Sequence, residues 1–302
     1  MLSICIPIFN LEVSELVSML DEQSKSIGIP YEIVLIDDCS KPEFKLKNKD
    51  LNKLESIIYI ELEKNIGRSA IRNLFLKYSQ YENLLFLDCD SQVTDNLFVA
   101  NYIKHCDITE KVICGGTKYP TKPKNNQSPL RWKFGVNREC IPAEKRDKNP
   151  YQSFMSNNFL IKRSILDKIK FEEKLEGYGH EDSLLGYSLK QNKVPLMHIN
   201  NPVIHDFSET DQEFLCKTKQ ALRNLYFINS EMDLGADFSD MIKLLKVYSR
   251  IKKMGMKFPA FILILILKPL ICISFNTGIL SLIALDVYKL GYYLGLLWRS
   301  KR

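Results

Sequence analysis

Residues 84–91 read LLFLDCDS. Leu84, Leu85, Phe86 and Leu87 form an apolar run of the length that fills a buried strand, and it stops at two carboxylates one residue apart, Asp88 and Asp90. Desolvating an ionised carboxylate is expensive, so acids placed this close to a core call for a compensating positive charge. Three earlier stretches share the apolar character: LSICIPIF at 2–9, YEIVLIDD at 31–38 and SIIYIELE at 56–63. Helix-like segments separate them, around residues 13–26 and in RSAIRNLFLKYSQ at 68–80, the latter after a turn at Asn65-Ile66-Gly67. Near-continuous apolar strands alternating with helices imply a mostly parallel sheet covered on both faces. In such sheets ligands collect at the carboxyl ends of the strands, where Asp37, Asp38, Asp88 and Asp90 all fall.

The 302 residues, 45% hydrophobic and 26% charged, suit one large α/β domain or a catalytic domain with an appendage. The net charge of +6 is modest, and no arginine-rich tract interleaved with aromatics suggests a nucleic-acid face. None of the eight cysteines forms a C-x-x-C pair, and several sit in apolar runs. They read as reduced thiols of a cytosolic protein rather than a zinc site or a disulfide framework. The opening MLSICIPIFN lacks a basic segment and meets a proline too soon for a signal-peptide core, so it reads as a first strand and the catalytic part is expected in the cytoplasm.

Further on, residues 115–150 are rich in proline, lysine and asparagine and read as an irregular binding loop or lid. SFMSNNFLIKRSILDKI at 153–169 reads as a strand entering a helix, and EGYGHEDSLLGYSLKQ at 176–191 as a glycine-rich turn opening a helix. KVPLMHINNPVIHDF at 193–207 reads as a short strand pair, and 211–254 as amphipathic helix. The run FPAFILILILKPLICISFNTGILSLIAL at 258–285 is almost wholly apolar, with Lys268 its only charge.

A strand ending in D-x-D suits a hard divalent cation, Mg²⁺ or Mn²⁺, held through carboxylate oxygens and neutralising a diphosphate. The same pair can equally be solvated acids or a helix cap. Asp37 and Asp38 could accept from a base N–H and ribose hydroxyls, or Asp38 and Ser40 could merely close a turn. Glu181 and Asp182 stand at a helix start, where the dipole favours acids. His205 follows an apolar strand, a place open to a structural or a ligating imidazole.

In their order and spacing SICIPIFN, EIVLIDDCS, NIGRSAIRN, LLFLDCDS and GYGHEDSLLGYSL resemble the family-2 glycosyltransferases from residue 1 to about 207. These are inverting enzymes with the GT-A nucleotide-diphospho-sugar fold, and this chain is similar to the bacterial glycan-biosynthesis type. The resemblance implies that Pro7, Phe9, Asp37, Asp38, Arg72, Asn73, Asp88 and Cys89 contact the nucleotide-sugar, with Asp37 on the base. Arg72 and Asn73 match the R-N of the family's G-x-x-x-A-R-N element, where Ile71 replaces the alanine. It further implies that Asp88, Asp90 and His205 hold Mn²⁺ or Mg²⁺. Asp182 becomes the general base and Glu181 the acceptor-hydroxyl contact, while His180 stands where related sequences often have glycine. The implied reaction is metal-dependent hexosyl transfer from a nucleotide-diphosphate donor to a glycan or lipid-linked glycan, by single displacement with inversion.

The expected organisation is a transferase domain over 1–210, with a nucleotide-sugar half to about 115 and an acceptor half from 116. Amphipathic basic helices over 211–257 and an apolar membrane-associating segment over 258–302 follow. Lys268-Pro269 and Asn276-Thr277-Gly278 should divide that last segment into pieces too short to cross a bilayer core of roughly 30 Å. With Lys243, Lys246, Arg250, Lys252, Lys253 and Lys257 before it and Arg299, Lys301 and Arg302 after it, it reads as a peripheral anchor on the inner face of the cell membrane. A helical pair buried on protein is the alternative. Two other functions share the D-x-D strand end: a haloacid-dehalogenase-like phosphatase, against which Gln92 and the late position of the motif count, and an inactive transferase-fold membrane scaffold.

Overall fold

The computed structural model describes residues 1–106, 111–123, 127–232, 234–279 and 281–299. In chain order the elements are β1 (Leu2–Ile8), α1 (Ser14–Ile27), β2 (Tyr31–Asp37), α2 (Pro42–Asn48), β3 (Ile57–Glu61), α3 (Arg68–Tyr78), β4 (Asn83–Leu87) and β5 (Ser91–Gln92). There follow α4 (Phe98–Ile103), β6 (Val112–Cys114), β7 (Thr117–Lys118), α5 (Pro129–Arg138), α6 (Ala143–Arg146), β8 (Asn158–Lys162), α7 (Arg163–Lys168) and α8 (Glu181–Gln191). The chain ends with β9 (Leu196–His198), β10 (Val203–His205), α9 (Asp211–Glu231), α10 (Gly235–Met241), α11 (Lys243–Lys253), α12 (Lys257–Thr277) and α13 (Ser281–Arg299). They form two compact units. The first comprises Met1–Thr121, Arg138–Lys174 and Leu184–Phe207, the second Lys122–Asn137, Leu175–Ser183 and Ser208–Arg302.

The first unit holds a seven-stranded sheet in the order β3-β2-β1-β4-β8-β6-β9. β3, β2, β1 and β4 run parallel, which brings the ends of β1, β2 and β4 to one edge. The apolar run around residue 84 is continuous because the sheet is covered twice. Leu85 and Leu87 join a core with Ile4, Ile6, Val17, Leu20 and Val99, while Leu84 and Phe86 face the other way, toward Cys5, Val34, Phe75 and Phe159. Phe86 stacks on Phe159 at 5.0 Å and meets Phe75 edge-on at 5.5 Å. Burying a side chain of this size contributes about 1.5–3 kcal/mol.

β8 runs antiparallel to both β4 and β6, so the sheet is mixed, and a second sheet follows the order β5-β10-β7. The strands expected to pair with each other in 193–207 do not: β9 pairs with β6, and β10 lies between β5 and β7. Register in this small sheet sets His205 opposite Ser91, and the Asp206 N–H donates to the Asp90 carbonyl at 3.0 Å. A buried polar network supports it. Asn158 donates to the carbonyls of Gly116 and Asn201, both at 2.9 Å, and buried Arg146 donates to those of Gly115 and Ile199.

In the second unit α9 starts on a capping box in which Thr210 Oγ1 accepts from the Glu213 N–H. Leu130, Phe214 and Leu285 form its small core, and Tyr293 is fully buried. Three sequence expectations change here. The stretch read as irregular contains α5 and α6, and the helix expected over 211–254 is three helices, α9, α10 and α11. α12 also runs unbroken through Pro269 and ends only at Gly278, so the division at Lys268-Pro269 does not occur. One missing N–H is tolerated because α12 lies along α13, so closely that a Cβ at Gly291 would stand 2.4 Å from Ile264. By length and composition α12 could cross a membrane, and most of it is exposed. Lys301 and Arg302 lie outside the described residues.

Candidate active site at the carboxyl edge of the sheet

β4 delivers Asp88 and Asp90 into a tight turn in which the Ser91 N–H donates to the Asp88 carbonyl at 3.1 Å. The positive charge nearest Asp88 is the chain's own. Arg72 Nη2 donates to Asp88 Oδ1 at 2.5 Å, and Arg68 Nη2 lies 3.4 Å from Oδ2. Arg72 is buried, stacks over Phe171 at 5.7 Å and donates back to the Arg68 carbonyl, so α3 holds the pair rigidly. Asp88, expected among the metal ligands, thus has both oxygens facing guanidinium groups.

Asp90 is placed differently. His205 Nε2 is 2.9 Å from its Oδ2, and the other ring nitrogen, Nδ1, is 2.9 Å from the Tyr119 hydroxyl. Tyr119 in turn donates to Glu139 Oε2. Adjacent ligands of an octahedral cation at about 2.1 Å stand about 3 Å apart, so the Asp90–His205 separation fits two neighbouring ligands of Mg²⁺ or Mn²⁺. A carboxylate oxygen and an imidazole nitrogen also suit Mn²⁺ chemically. Among the described residues no group of three or more acid, histidine or cysteine side chains is arranged to hold a metal, so a cation here would need ligands from a substrate or water.

At the end of β2, Asp37 is fully buried. Its oxygens accept from the Ser40 N–H at 2.6 Å and the Tyr59 hydroxyl at 3.2 Å. Asp38 accepts from the N–H groups of Ile66 and Gly67, at 2.7 and 3.1 Å, and so fixes the turn into α3. Burial raises the Asp38 carboxyl above its ordinary value, and those two N–H groups oppose the rise. Asn10 ties the ends of β1 and β2 together, its N–H donating to Ser40 Oγ at 2.7 Å and its Oδ1 accepting from the Lys41 N–H. Beside them Pro7 ends half-buried in β1, Phe9 is 51% exposed, and burial pushes the Cys89 thiol up to about 12, so it stays neutral. Asn73 is not brought to this edge: its amide exchanges hydrogen bonds with the Phe171 backbone and donates to Glu173 at 2.7 Å.

In the second unit the turn before α8 is wound by positive φ at Gly179 (102°) and His180 (70°). A Cβ at Gly179 would stand 2.4 Å from that of Ala221, and Asn224 donates to the carbonyls of Glu176 and Gly179, both at 3.0 Å. His180 thus occupies a conformation that favours glycine, the residue the family resemblance leads one to expect there. Its burial pushes the imidazole down to about 4. Glu181 is buried, Asp182 is half-buried, and both stand in the first turn of α8.

Tyr119, Glu139, Asn10 and Arg68 escaped the sequence reading. Arg68 was within reach, since arginines at 68 and 72 share a helix face by their i, i+4 spacing. Tyr119 sits 86 residues from His205, and no local pattern announces the contact.

Glycosyl transferase family 2 matches residues 3–170 of this chain, a stretch that ends before Glu181, Asp182 and His205. Two curated relatives are chondroitin synthases, from Pasteurella multocida and Escherichia coli, each 24% identical over 220 residues and 62% of this chain. The match covers 23% and 32% of their lengths, so the chain spans only about a quarter to a third of these relatives. Among solved structures, a mannosyltransferase from Pyrobaculum calidifontis in complex with GDP-Man and Mn²⁺ superposes with a TM-score of 0.54 at 12% identity, over 99% of this chain and 87% of that one. This likeness supports the expected GT-A fold. The phosphatase alternative falls away with the family match: this chain belongs to glycosyl transferase family 2.

Proposed function

We propose that the protein transfers a hexose from a nucleoside-diphosphate donor to a hydroxyl of a glycan or lipid-linked glycan, inverting the anomeric carbon with the help of Mn²⁺ or Mg²⁺. The observation that supports this most is the Asp90–His205 pair, whose spacing and donor chemistry fit a cation at the carboxyl edge of a family-2 sheet. When bound, such a cation would neutralise the charge gathering on the departing diphosphate. Asp90 and His205 would hold it, and Asp88, fixed by Arg72 and Arg68, keeps the turn in register. Exposed Phe9 offers a face to the base, with Pro7 and the neutral Cys89 thiol beside it. Fully buried Asp37 fixes the end of β2 through Ser40 and Tyr59, and Asp38 and Asn73 brace the neighbouring segments.

Asp182 removes a proton from the acceptor hydroxyl, and Glu181 accepts a hydrogen bond from the acceptor. One displacement suffices, and no covalent enzyme nucleophile is needed. Incubating the protein with Mn²⁺ and a panel of UDP- and GDP-sugars, with and without glycan acceptors, tests the reading. Release of nucleoside diphosphate from at least one donor is expected, and inertness toward all of them counts against it.

The helices of the second unit support a peripheral place on the cytoplasmic face of a membrane. α12 lies with one face along α13, while Ile262, Leu263, Ile266, Leu270 and Ile273 are exposed. Lys243, Lys246, Arg250, Lys252 and Lys253 of α11 are exposed as well, opposite the buried Leu245 and Tyr248. A largely exposed apolar helix next to basic residues fits the headgroup boundary of an anionic bilayer. A lipid-linked acceptor would be presented there.

A further inference from the structure

We infer that Tyr119 and Glu139 are positioning residues that set the tautomer and ring orientation of His205 for a divalent cation. The inference rests on the reading of His205 as a cation ligand. β7 and β10 pair with Thr117 opposite Val203 and Lys118 opposite Ile204, so the next residue, Tyr119, arrives beside His205. The two rings meet edge-on at 5.3 Å, and Phe207 packs against both.

With Glu139 ionised, one proton arrangement satisfies these contacts in sequence. Ionised Glu139 can only accept, so the single phenolic proton of Tyr119 points to it. In that arrangement the Tyr119 oxygen accepts from His205, whose Nδ1 carries the hydrogen. Nε2 is therefore the nitrogen whose lone pair can face a cation, and it is the one that lies 2.9 Å from Asp90. A histidine that binds metal through one nitrogen while the other donates to a carboxylate-backed partner has a fixed ring and a more basic ligand atom. Here a tyrosine hydroxyl stands between the imidazole and the carboxylate.

The test uses the full-length protein, with Mn²⁺ titrated in the presence of UDP and, in parallel, GDP, and free Mn²⁺ followed by its paramagnetic resonance signal. Tyr119→Phe should weaken Mn²⁺ binding by roughly 10- to 100-fold, the usual loss for an outer partner of a metal ligand, and Glu139→Gln should weaken it less. Nucleotide affinity without metal and the melting temperature should stay near wild type. On a His205→Ala background, Tyr119→Phe should cause no further loss, because its effect runs through the imidazole. Should Tyr119→Phe fail to fold, Glu139→Gln on the half-buried glutamate makes the same comparison. Unchanged Mn²⁺ affinity in these variants, beside a clear loss in His205→Ala, overturns the relay and leaves the ligand assignment standing. An equal loss with and without His205 signals general loosening and also overturns it. If His205→Ala binds Mn²⁺ as well as wild type, the ligand assignment itself fails and takes the relay with it.

Discussion

His205 Nε2 lies 2.9 Å from Asp90 Oδ2, although 115 residues separate them. The contact exists because β10 pairs antiparallel with β5, with His205 opposite Ser91, one residue beyond Asp90. The three-stranded sheet is thus the device that brings the two side chains together. Two lone-pair-bearing atoms at this distance need a positive charge between them, either a proton or a metal ion.

Arg72→Ala should destabilise the protein by about 3 kcal/mol or more, since it strands a largely buried carboxylate. Asp88 is 18% exposed at its side chain, Arg72 only 2%, and Arg68 at 3.4 Å is a weak substitute. Arg72→Lys should recover only part of this, because an ammonium lacks the planar fork that serves both Asp88 and the Arg68 carbonyl. Urea unfolding gives the values, and a loss below about 1 kcal/mol would show that the pair is not structural.

The pH dependence of stability should carry a signature of His180. Its folded pKa of about 4 lies below the ordinary 6.5, chiefly through burial, with Lys289 lowering it further and Glu181 opposing. Between those values the unfolded chain binds the extra proton, so the contribution is complete above pH 6.5 and is lost as pH falls toward 4. His180→Asn, which tolerates positive φ, should therefore flatten the denaturation midpoint over this range. Parallel curves for the two proteins would mean that His180 is not held neutral.

Asp182→Asn should retain donor binding and lose turnover by roughly 10²- to 10⁴-fold, since the amide keeps the shape but cannot take the proton. Turnover near wild type with intact nucleotide binding would assign the base elsewhere.

Much of the first unit was legible. β1, β2 and β4 announce themselves because a doubly covered strand must be apolar on both sides, and Leu84 to Leu87 do face two cores. The direction of β8 was not, since an antiparallel strand buried on both faces has the same composition as a parallel one. α5 was hidden behind the proline, lysine and asparagine around it. The continuity of α12 through Pro269 is not legible in the sequence, because packing along α13 overrides the local preference of proline. The Asp88–Arg72 pair tells the same story in the site: the strand end called for a positive charge, and only tertiary structure showed that a guanidinium supplies it.

Ile266→Glu and Leu270→Glu, at positions 68% and 61% exposed, should abolish sedimentation with vesicles containing anionic lipid while leaving the melting temperature unchanged. Higher salt should weaken wild-type binding through screening of the α11 lysines. Point changes are preferable to removing 258–302, because that would strip Leu285 and Tyr293 from the core. Vesicle binding that survives both substitutions would move the contact away from α12.

Calorimetry of UDP and GDP binding with and without Mn²⁺, in wild type and Asp90→Ala, bears most directly on cation-assisted donor binding. The wild type should bind one nucleotide more tightly with Mn²⁺, and Asp90→Ala should lose that increment while keeping the metal-free affinity. The same metal-dependent gain in both proteins would contradict a cation held by Asp90 and His205.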